Sequence, residues 1–152
     1  MYRNADSELR DALEALGYYT YTLEKSLSFE DPECWEADIT VELGAPVVLD
    51  DVALVVTGAA TDYPDLIDDL NARKPAVGAV LNHGTYEAFK RSILTRLGNQ
   101  GFLAAEMITS SVVVNEELTS AVIHIELQSG SRYRFGELSF TEGILDEELL
   151  HS

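Results

Sequence analysis

The chain repeats itself at a spacing of 84 positions, and this repeat limits its possible folds more than any other feature. The pair Gly17-Tyr18 recurs as Gly101-Phe102, and the segment ADITVEL (Ala37 to Leu43) recurs as AVIHIEL (Ala121 to Leu127). The two matches keep one register over the whole interval. A repeat of this length indicates successive copies of one small folding unit.

The first half of a complete unit is predicted to be a strand followed by a short helix. Alternating β-branched residues in VVLDDVALVV (Val47 to Val56) predict a strand that ends before Gly58. Asp62 is the predicted N-cap of the helix, and Lys74-Pro75 ends it. The apolar stripe expected on this helix consists of Leu66, Ile67 and Leu70.

The second half of the unit is predicted to be a longer helix followed by two strands. Thr85 opens the predicted helix, and Gly98 and Gly101 can end it in a left-handed conformation. The apolar residues expected on one face of this helix are Tyr86, Phe89, Ile93 and Leu97. Strands are predicted from Phe102 to Val114 and from Leu118 to Leu127. The order of the complete unit is therefore β-α-α-β-β, an α+β fold.

The boundaries of this unit predict three domains, two of them incomplete. Residues 1–45 supply the second helix and final hairpin of a first domain, and residues 46–130 form a complete second domain. Residues 131–152, beginning with the strand YRFGELSF (Tyr133 to Phe140), supply the first strand and the start of a helix of a third domain. An unpaired strand beside a sheet that lacks one predicts partial disorder or strand exchange between two chains.

Charge and cysteine content exclude several classes of function. The 152 residues include 27 acidic and 10 basic ones, a net charge of −17, which repels nucleic acid and anionic lipid. Cys34 is the single cysteine, so no intrachain disulfide can form. The sequence contains no apolar run of the roughly 18 residues that a membrane helix needs.

The hypothesis of an enzymatic or metal-binding site depends on two histidines with nearby carboxylates. His83 lies four residues before Glu87, in a segment that is predicted to be a loop. His124 lies beside Glu126 on a predicted strand. No glycine-rich phosphate loop, activated serine or cysteine–histidine pair accompanies them. We expect no enzyme activity, no catalytic, metal or cofactor-binding residues, and no cofactor.

The segment LNHGTYEAFK, followed at the right distance by RYRFG, resembles consecutive POTRA (polypeptide-transport-associated) domains of the TamA/BamA outer-membrane assembly family, with the TamA branch as the nearest likeness. The resemblance implies a three-stranded mixed sheet covered on one face by two helices, with the strand from Phe102 to Val114 at an edge. It also implies a periplasmic location, attached to the Gram-negative outer membrane through a C-terminal β-barrel. The implied partners are unfolded outer-membrane and autotransporter precursors and the inner-membrane protein TamB.

An exposed edge strand can bind an extended segment through backbone hydrogen bonds, a mode called β-augmentation. The candidate edge is AAEMITSSVVV (Ala104 to Val114), in which Glu106 is the single charge. The candidate peptide-binding residues are Glu106, Ile108, Ser110, Val112 and Val114. The alternative for this strand is that a neighbouring domain covers its edge.

The same fold is compatible with other roles. The chain can be the arm of a two-partner secretion transporter or of BamA, or a module that only docks an inner-membrane partner. Tyr18, Tyr19 and Tyr21 can contribute to such a docking surface or fill the core, and Trp35 has the same two interpretations.

Overall fold

The computed structural model describes residues 2–31 and 34–137. They form three helices and five strands, with a 3-10 turn at Ala59–Asp62. In chain order these are α1 (Tyr2–Ala15), β1 (Tyr21–Asp31), β2 (Cys34–Leu43), β3 (Val48–Thr57), α2 (Pro64–Ala72), α3 (His83–Asn99), β4 (Glu106–Val114) and β5 (Ser120–Gln128).

The complete unit contains a three-stranded mixed sheet in the order β3-β5-β4. The central strand β5 runs parallel to β3 and antiparallel to β4. The buried residues of β5 alternate along the strand: Ala121, Ile123, Ile125 and Leu127. They share one core with Leu70 of α2 and with Ile93 and Leu97 of α3. The sheet with its two helices confirms the predicted α+β fold of β-α-α-β-β order.

A second, smaller sheet precedes this unit. β1 and β2 form an antiparallel hairpin in which Tyr21 lies opposite Leu43 and Leu23 lies opposite Val41. The 84-residue spacing aligns β1 with β4 and β2 with β5, so the hairpin occupies the place of the last two strands of the unit. It follows a helix, α1, as the β4–β5 hairpin follows α3.

Both α1 and α3 end in the same hydrogen-bond pattern around a glycine. The N–H of Tyr18 donates to the carbonyl of Leu13 (2.9 Å), and the N–H of Phe102 donates to that of Leu97 (3.0 Å). Gly17 has a φ of 90° and Gly101 a φ of 92°, the left-handed region that this helix ending requires. The repeat in the sequence is therefore a repeat of backbone geometry.

The same two glycines also join each unit to the next segment of chain. The carbonyl of Gly17 accepts the N–H of Val47 (2.8 Å), just before β3, and the carbonyl of Gly101 accepts the N–H of Tyr133 (2.7 Å). Tyr19 packs against the core of the complete unit, so the end of α1 and that unit are in contact. Each junction is thus built on the end of a helix.

Several element boundaries differ from those that the sequence predicts. α3 begins at His83, where the sequence predicts a loop, because the Asn82 side chain caps it by accepting the N–H of Thr85 (3.0 Å). α2 begins after Tyr63 with Pro64 as its first residue, so the predicted cap at Asp62 is wrong.

The strand boundaries of the complete unit also differ from the prediction. β4 begins at Glu106 rather than Phe102, because Phe102 turns into the core directly after the helix end and is 1% exposed. Residues 131–137 form no strand. The rest of the predicted strand to Phe140, and the helix start after it, lie outside the described residues.

One buried polar side chain links the end of β5 to the turn after β3. Ser129 is 0% exposed, and its hydroxyl accepts the backbone N–H of Ala60 (2.9 Å), a residue that is equally buried. No pattern in the sequence distinguishes this serine from the others. Its position follows from the parallel pairing of β3 and β5.

We expect Ser129→Ala to lower the free energy of unfolding by about 1–3 kcal/mol, because the buried Ala60 N–H loses its acceptor. Urea unfolding monitored by circular dichroism measures the change. Thr61→Ala is the control, since the Thr61 hydroxyl donates to Gly58 at an exposed position. Equal, small changes in both variants would contradict the proposed role of the Ser129 hydroxyl.

Candidate strand-binding site

The three-stranded sheet has two outer strands, β3 and β4, and the margin of β3 is closed along its first part. Residues 78–81 run beside it: the N–H of Leu49 donates to Ala79 (2.8 Å), and the N–H of Leu81 donates to Val47 (2.8 Å). The first part of this margin, up to Leu49, is therefore occupied by the chain itself.

The margin of β4 is open, since no strand lies beside it within the described part of the chain. The N–H of Asn115 donates to the carbonyl of Ser120 on β5 (2.9 Å). Because backbone direction alternates along a strand, every second residue before Asn115 also points its N–H and C=O groups toward β5. The intervening residues Ser110, Val112 and Val114 therefore direct their N–H and C=O groups to the open margin. These are the groups that an added strand needs.

A β-bulge divides the five candidate residues into two groups. The register of β4 on β5 shifts between Met107 and Thr109, which leaves Ile108 as the extra residue, 54% exposed. Ser110, Val112 and Val114 follow the bulge in one continuous alternation. Glu106 precedes the bulge and Ile108 is its extra residue, so neither continues that alternation. The sequence pattern does not contain this distinction.

The side chains of β4 beyond the bulge divide between the two faces of the sheet. Val112 and Val114 pack against the core on the helix-covered face. Thr109, Ser111 and Val113 lie on the opposite face, where Val113 is 63% exposed. An added strand would therefore meet an apolar inner row and a small, mostly polar outer row.

The outer face also carries the histidine and carboxylate of β5 that the sequence singled out. His124 Nε2 and a Glu126 carboxylate oxygen lie 3.1 Å apart, and both side chains are partly exposed. His83 lies at the exposed start of α3. Within residues 2–31 and 34–137, no three His, Cys, Asp or Glu side chains are arranged so that they could hold a metal ion.

The charged residues of the segment that contains β4 and β5 are all acidic, apart from His124. Between Arg96 and Arg132 the sequence contains no lysine or arginine. The same interval contains four glutamates: Glu106, Glu116, Glu117 and Glu126. The field at β4 is therefore set by carboxylates, in keeping with the charge of the whole chain.

The basic side chains nearest to this interval line a separate cleft of about 260 Å³ between the ends of α2 and α3. Arg132 donates to the carbonyl of Gln100 (2.7 Å), and its guanidinium lies 4.8 Å from the centre of the Tyr63 ring. A hydrogen bond from Arg132, with a further one from Arg134, lowers the pKa of Tyr63. These contacts hold the segment after β5 against the helices.

A second arginine of this cleft is paired with an aspartate of α2. Arg96 donates to Asp69 (2.8 Å), which Arg73 also contacts (3.0 Å). Hydrogen bonds from Arg73, and next from Arg96, lower the pKa of Asp69. Arg96 and Arg132 are therefore engaged within the chain.

The three tyrosines that are candidates for partner docking differ in their surroundings. Tyr18, Tyr19 and Tyr21 are all half-buried. Tyr19 packs against the core of the complete unit, and burial raises its pKa. Core filling is therefore observed for Tyr19, while the side chain of Trp35 lies outside the described residues.

The fold and the junctions define a class of small α+β unit, in which two helices lie over a three-stranded mixed sheet and a helix and hairpin of the same design precede it. Residues 1–43 match the family model described as POTRA domain, TamA domain 1. This match and the fold confirm the resemblance to POTRA domains of the TamA/BamA family.

A solved structure shares this fold at low sequence identity. POTRA domains 3–5 of BamA from Haemophilus influenzae superpose with a TM-score of 0.53 at 15% identity, covering 98% of this chain and 58% of that one. POTRA domains 1–3 of the periplasmic domain of Omp85 from Anabaena give a TM-score of 0.43 at 16% identity, covering 82% of this chain and 46% of that one. The chain thus spans little more than half of the BamA fragment.

Within residues 2–31 and 34–137, no helix combines the length and the apolar character that crossing a bilayer demands.

Proposed function

We propose that this chain is part of the periplasmic arm of an outer-membrane protein assembly or translocation factor, and that it binds unfolded substrate strands along β4. The observation that carries the proposal is the open margin, on which Ser110, Val112 and Val114 direct unpaired backbone groups outward. Because backbone groups are common to all sequences, such a site accepts many partners. Unfolded barrel precursors contain alternating strands that need a partner.

The proposed role of the chain is binding and positioning, without catalysis, a metal or a cofactor. Attachment to the outer membrane would come from a C-terminal β-barrel, as the resemblance to the TamA/BamA family implies.

The domain division accompanies this proposal. Residues 1–45 belong to a first POTRA domain, 46–130 form the second, and 131–152 begin a third. The recurring junction at Gly17 and Gly101 supports the division, because each glycine carbonyl accepts an N–H from the start of the next segment.

A second candidate function is docking of a fixed partner, and the match of residues 1–43 to domain 1 of TamA favours it. In that case the first unit contacts the inner-membrane partner TamB, and substrates such as autotransporter precursors bind elsewhere. The same match favours the TamA branch over an arm of BamA or of a two-partner secretion transporter. The two functions are compatible, since they use different domains.

We expect Ser110→Pro to weaken the binding of an extended peptide by about three- to tenfold, because proline removes an outward N–H and its ring obstructs the approaching strand. The measurement is a titration of the 152-residue chain with a fluorescent peptide from a barrel strand, followed by anisotropy. Backbone amide shifts in the same titration locate the bound peptide.

Ser110→Ala is the matched control, because it removes the same hydroxyl but keeps the N–H. We expect it to bind the peptide as the unmodified chain does. Unchanged affinity in a folded Ser110→Pro variant, as judged by circular dichroism, would rule out binding along β4.

A further inference from the structure

We infer that the strand accepted by β4 is a basic one, and that Glu126 selects a lysine or arginine on its outer face. This inference rests on the proposed function, and it adds the charge of the partner and one residue that recognises it.

The register of the sheet brings Glu126 within reach of a strand added at β4. Glu126 lies directly opposite Thr109, on the face that the helices leave uncovered. Neighbouring strands are about 4.8 Å apart, so a third strand in line would lie about 10 Å from the backbone of Glu126. The long side chain of a lysine or arginine and that of Glu126 can together span this distance when the residue between them is small.

Thr109 is that intervening residue, and its position favours the contact. Its backbone groups point toward β5, as those of Asn115 do, so a residue added opposite it would form a non-hydrogen-bonded pair if the new strand runs antiparallel. The Cα atoms of such pairs approach to about 4.5 Å, and their side chains lie on the same face. A lysine or arginine there extends over the threonine toward the Glu126 carboxylate.

Glu126 is available for this contact. Its side chain is 45% exposed, and one of its carboxylate oxygens lies 3.1 Å from His124 Nε2 on the same strand. A carboxylate has two oxygens that together accept several hydrogen bonds, so a second donor can join the first. The guanidinium fork of arginine matches this geometry best.

Other acidic residues favour a basic strand along the whole open margin of β4. Glu106 lies before the bulge, and Glu116 and Glu117 lie in the turn after β4, so both ends of the open segment are acidic. No lysine or arginine occurs in the sequence between Arg96 and Arg132 to attract an acidic strand. Like charges across a strand pair are destabilising, so acidic segments are disfavoured.

The experiment compares three peptides that differ at one position. Each is an alternating threonine–valine strand with arginine, glutamine or glutamate at an outer-face threonine position. Each peptide is titrated into the 152-residue chain at low salt, with backbone amide shifts mapping the site. We expect the arginine peptide to bind about two- to fivefold more tightly than the glutamine peptide, and the glutamate peptide to bind most weakly.

Two variants test the role of the single carboxylate. In Glu126→Gln we expect the arginine and glutamine peptides to bind alike. In Glu117→Gln, the matched control in the turn, we expect the preference for arginine to persist. Added salt should reduce the preference, because exposed charge pairs are screened.

The outcomes separate charge selectivity from strand binding itself. Three equal affinities, with shifts along β4, would overturn the charge selectivity and leave strand binding in place. A preference for arginine that survives in Glu126→Gln would overturn the role of that residue. Failure of all three peptides to perturb β4 would overturn the proposed function.

Discussion

Replacing Gly101 by alanine is expected to lower the free energy of unfolding by about 2–4 kcal/mol, for two additive reasons. The residue has a φ of 92°, which a side chain makes unfavourable. A Cβ atom at this position would also meet the backbone carbonyl oxygen of Tyr133, which cannot move aside as a flexible side chain can. The variant therefore strains both the end of α3 and the junction that follows it.

Gly78→Ala separates these two causes. Gly78 has a φ of 83°, but a Cβ there has no atom within 4 Å. We expect it to cost about 1–2 kcal/mol, from the backbone conformation alone. Urea unfolding of both variants provides the comparison. If Gly101→Ala lowered the free energy of unfolding no more than Gly78→Ala does, the junction would tolerate a side chain.

Ile125→Ala is expected to cost about 3–4 kcal/mol, because it removes buried methyl groups at the centre of the domain and leaves a cavity. Ile125 is 0% exposed on the middle strand of the sheet, so its neighbours on β3 and β4 are held in place and cannot fill the space. Thermal and urea unfolding measure the loss.

Val113→Ala is the control for Ile125→Ala. It shortens an aliphatic side chain on the neighbouring strand β4, at a site that is 63% exposed on the opposite face. We expect a change within about 0.5 kcal/mol. Similar losses in the two variants would contradict the description of a single core on the helix-covered face.

Regular periodicities account for what could be predicted about the fold. The alternation of Ile123, Ile125 and Leu127 with His124 and Glu126 is typical of a strand with one buried face, and the structure confirms it. The stripe from Tyr86 to Leu97 indicates a helix lying on that sheet, and all four of its predicted residues are buried. Burial imposes such patterns locally, so they can be read without knowing the partners.

The helix boundaries are less predictable because they depend on single hydrogen bonds. Asn82 caps α3 through one contact with the N–H of Thr85, the residue at which the sequence predicts the helix to start. The N-cap preference of asparagine is a usable signal for the correct start. The start of α2 offers none, since Tyr63 precedes Pro64 without a side-chain cap.

The candidate site is predictable in part. The resemblance to POTRA domains implies that the strand predicted from Phe102 to Val114 lies at an edge, and the structure has β4 at the edge of the sheet. The bulge at Ile108, the outward direction of the backbone at Ser110 and the partial closure of β3 by residues 78–81 are not predictable. Each of these depends on how two distant segments align, which leaves no periodic trace in either one.

The sequence alone determined that this protein is built from repeated units, because the pair at Gly17 and its copy at Gly101 must each end a helix in a conformation that glycine adopts most easily. The tertiary structure alone decided which margin of the sheet is open, and which carboxylate lies beside it. A local pattern reflects the face that each element buries, whereas an unpaired edge is defined by the absence of a neighbouring strand and exists only once the strands have been placed.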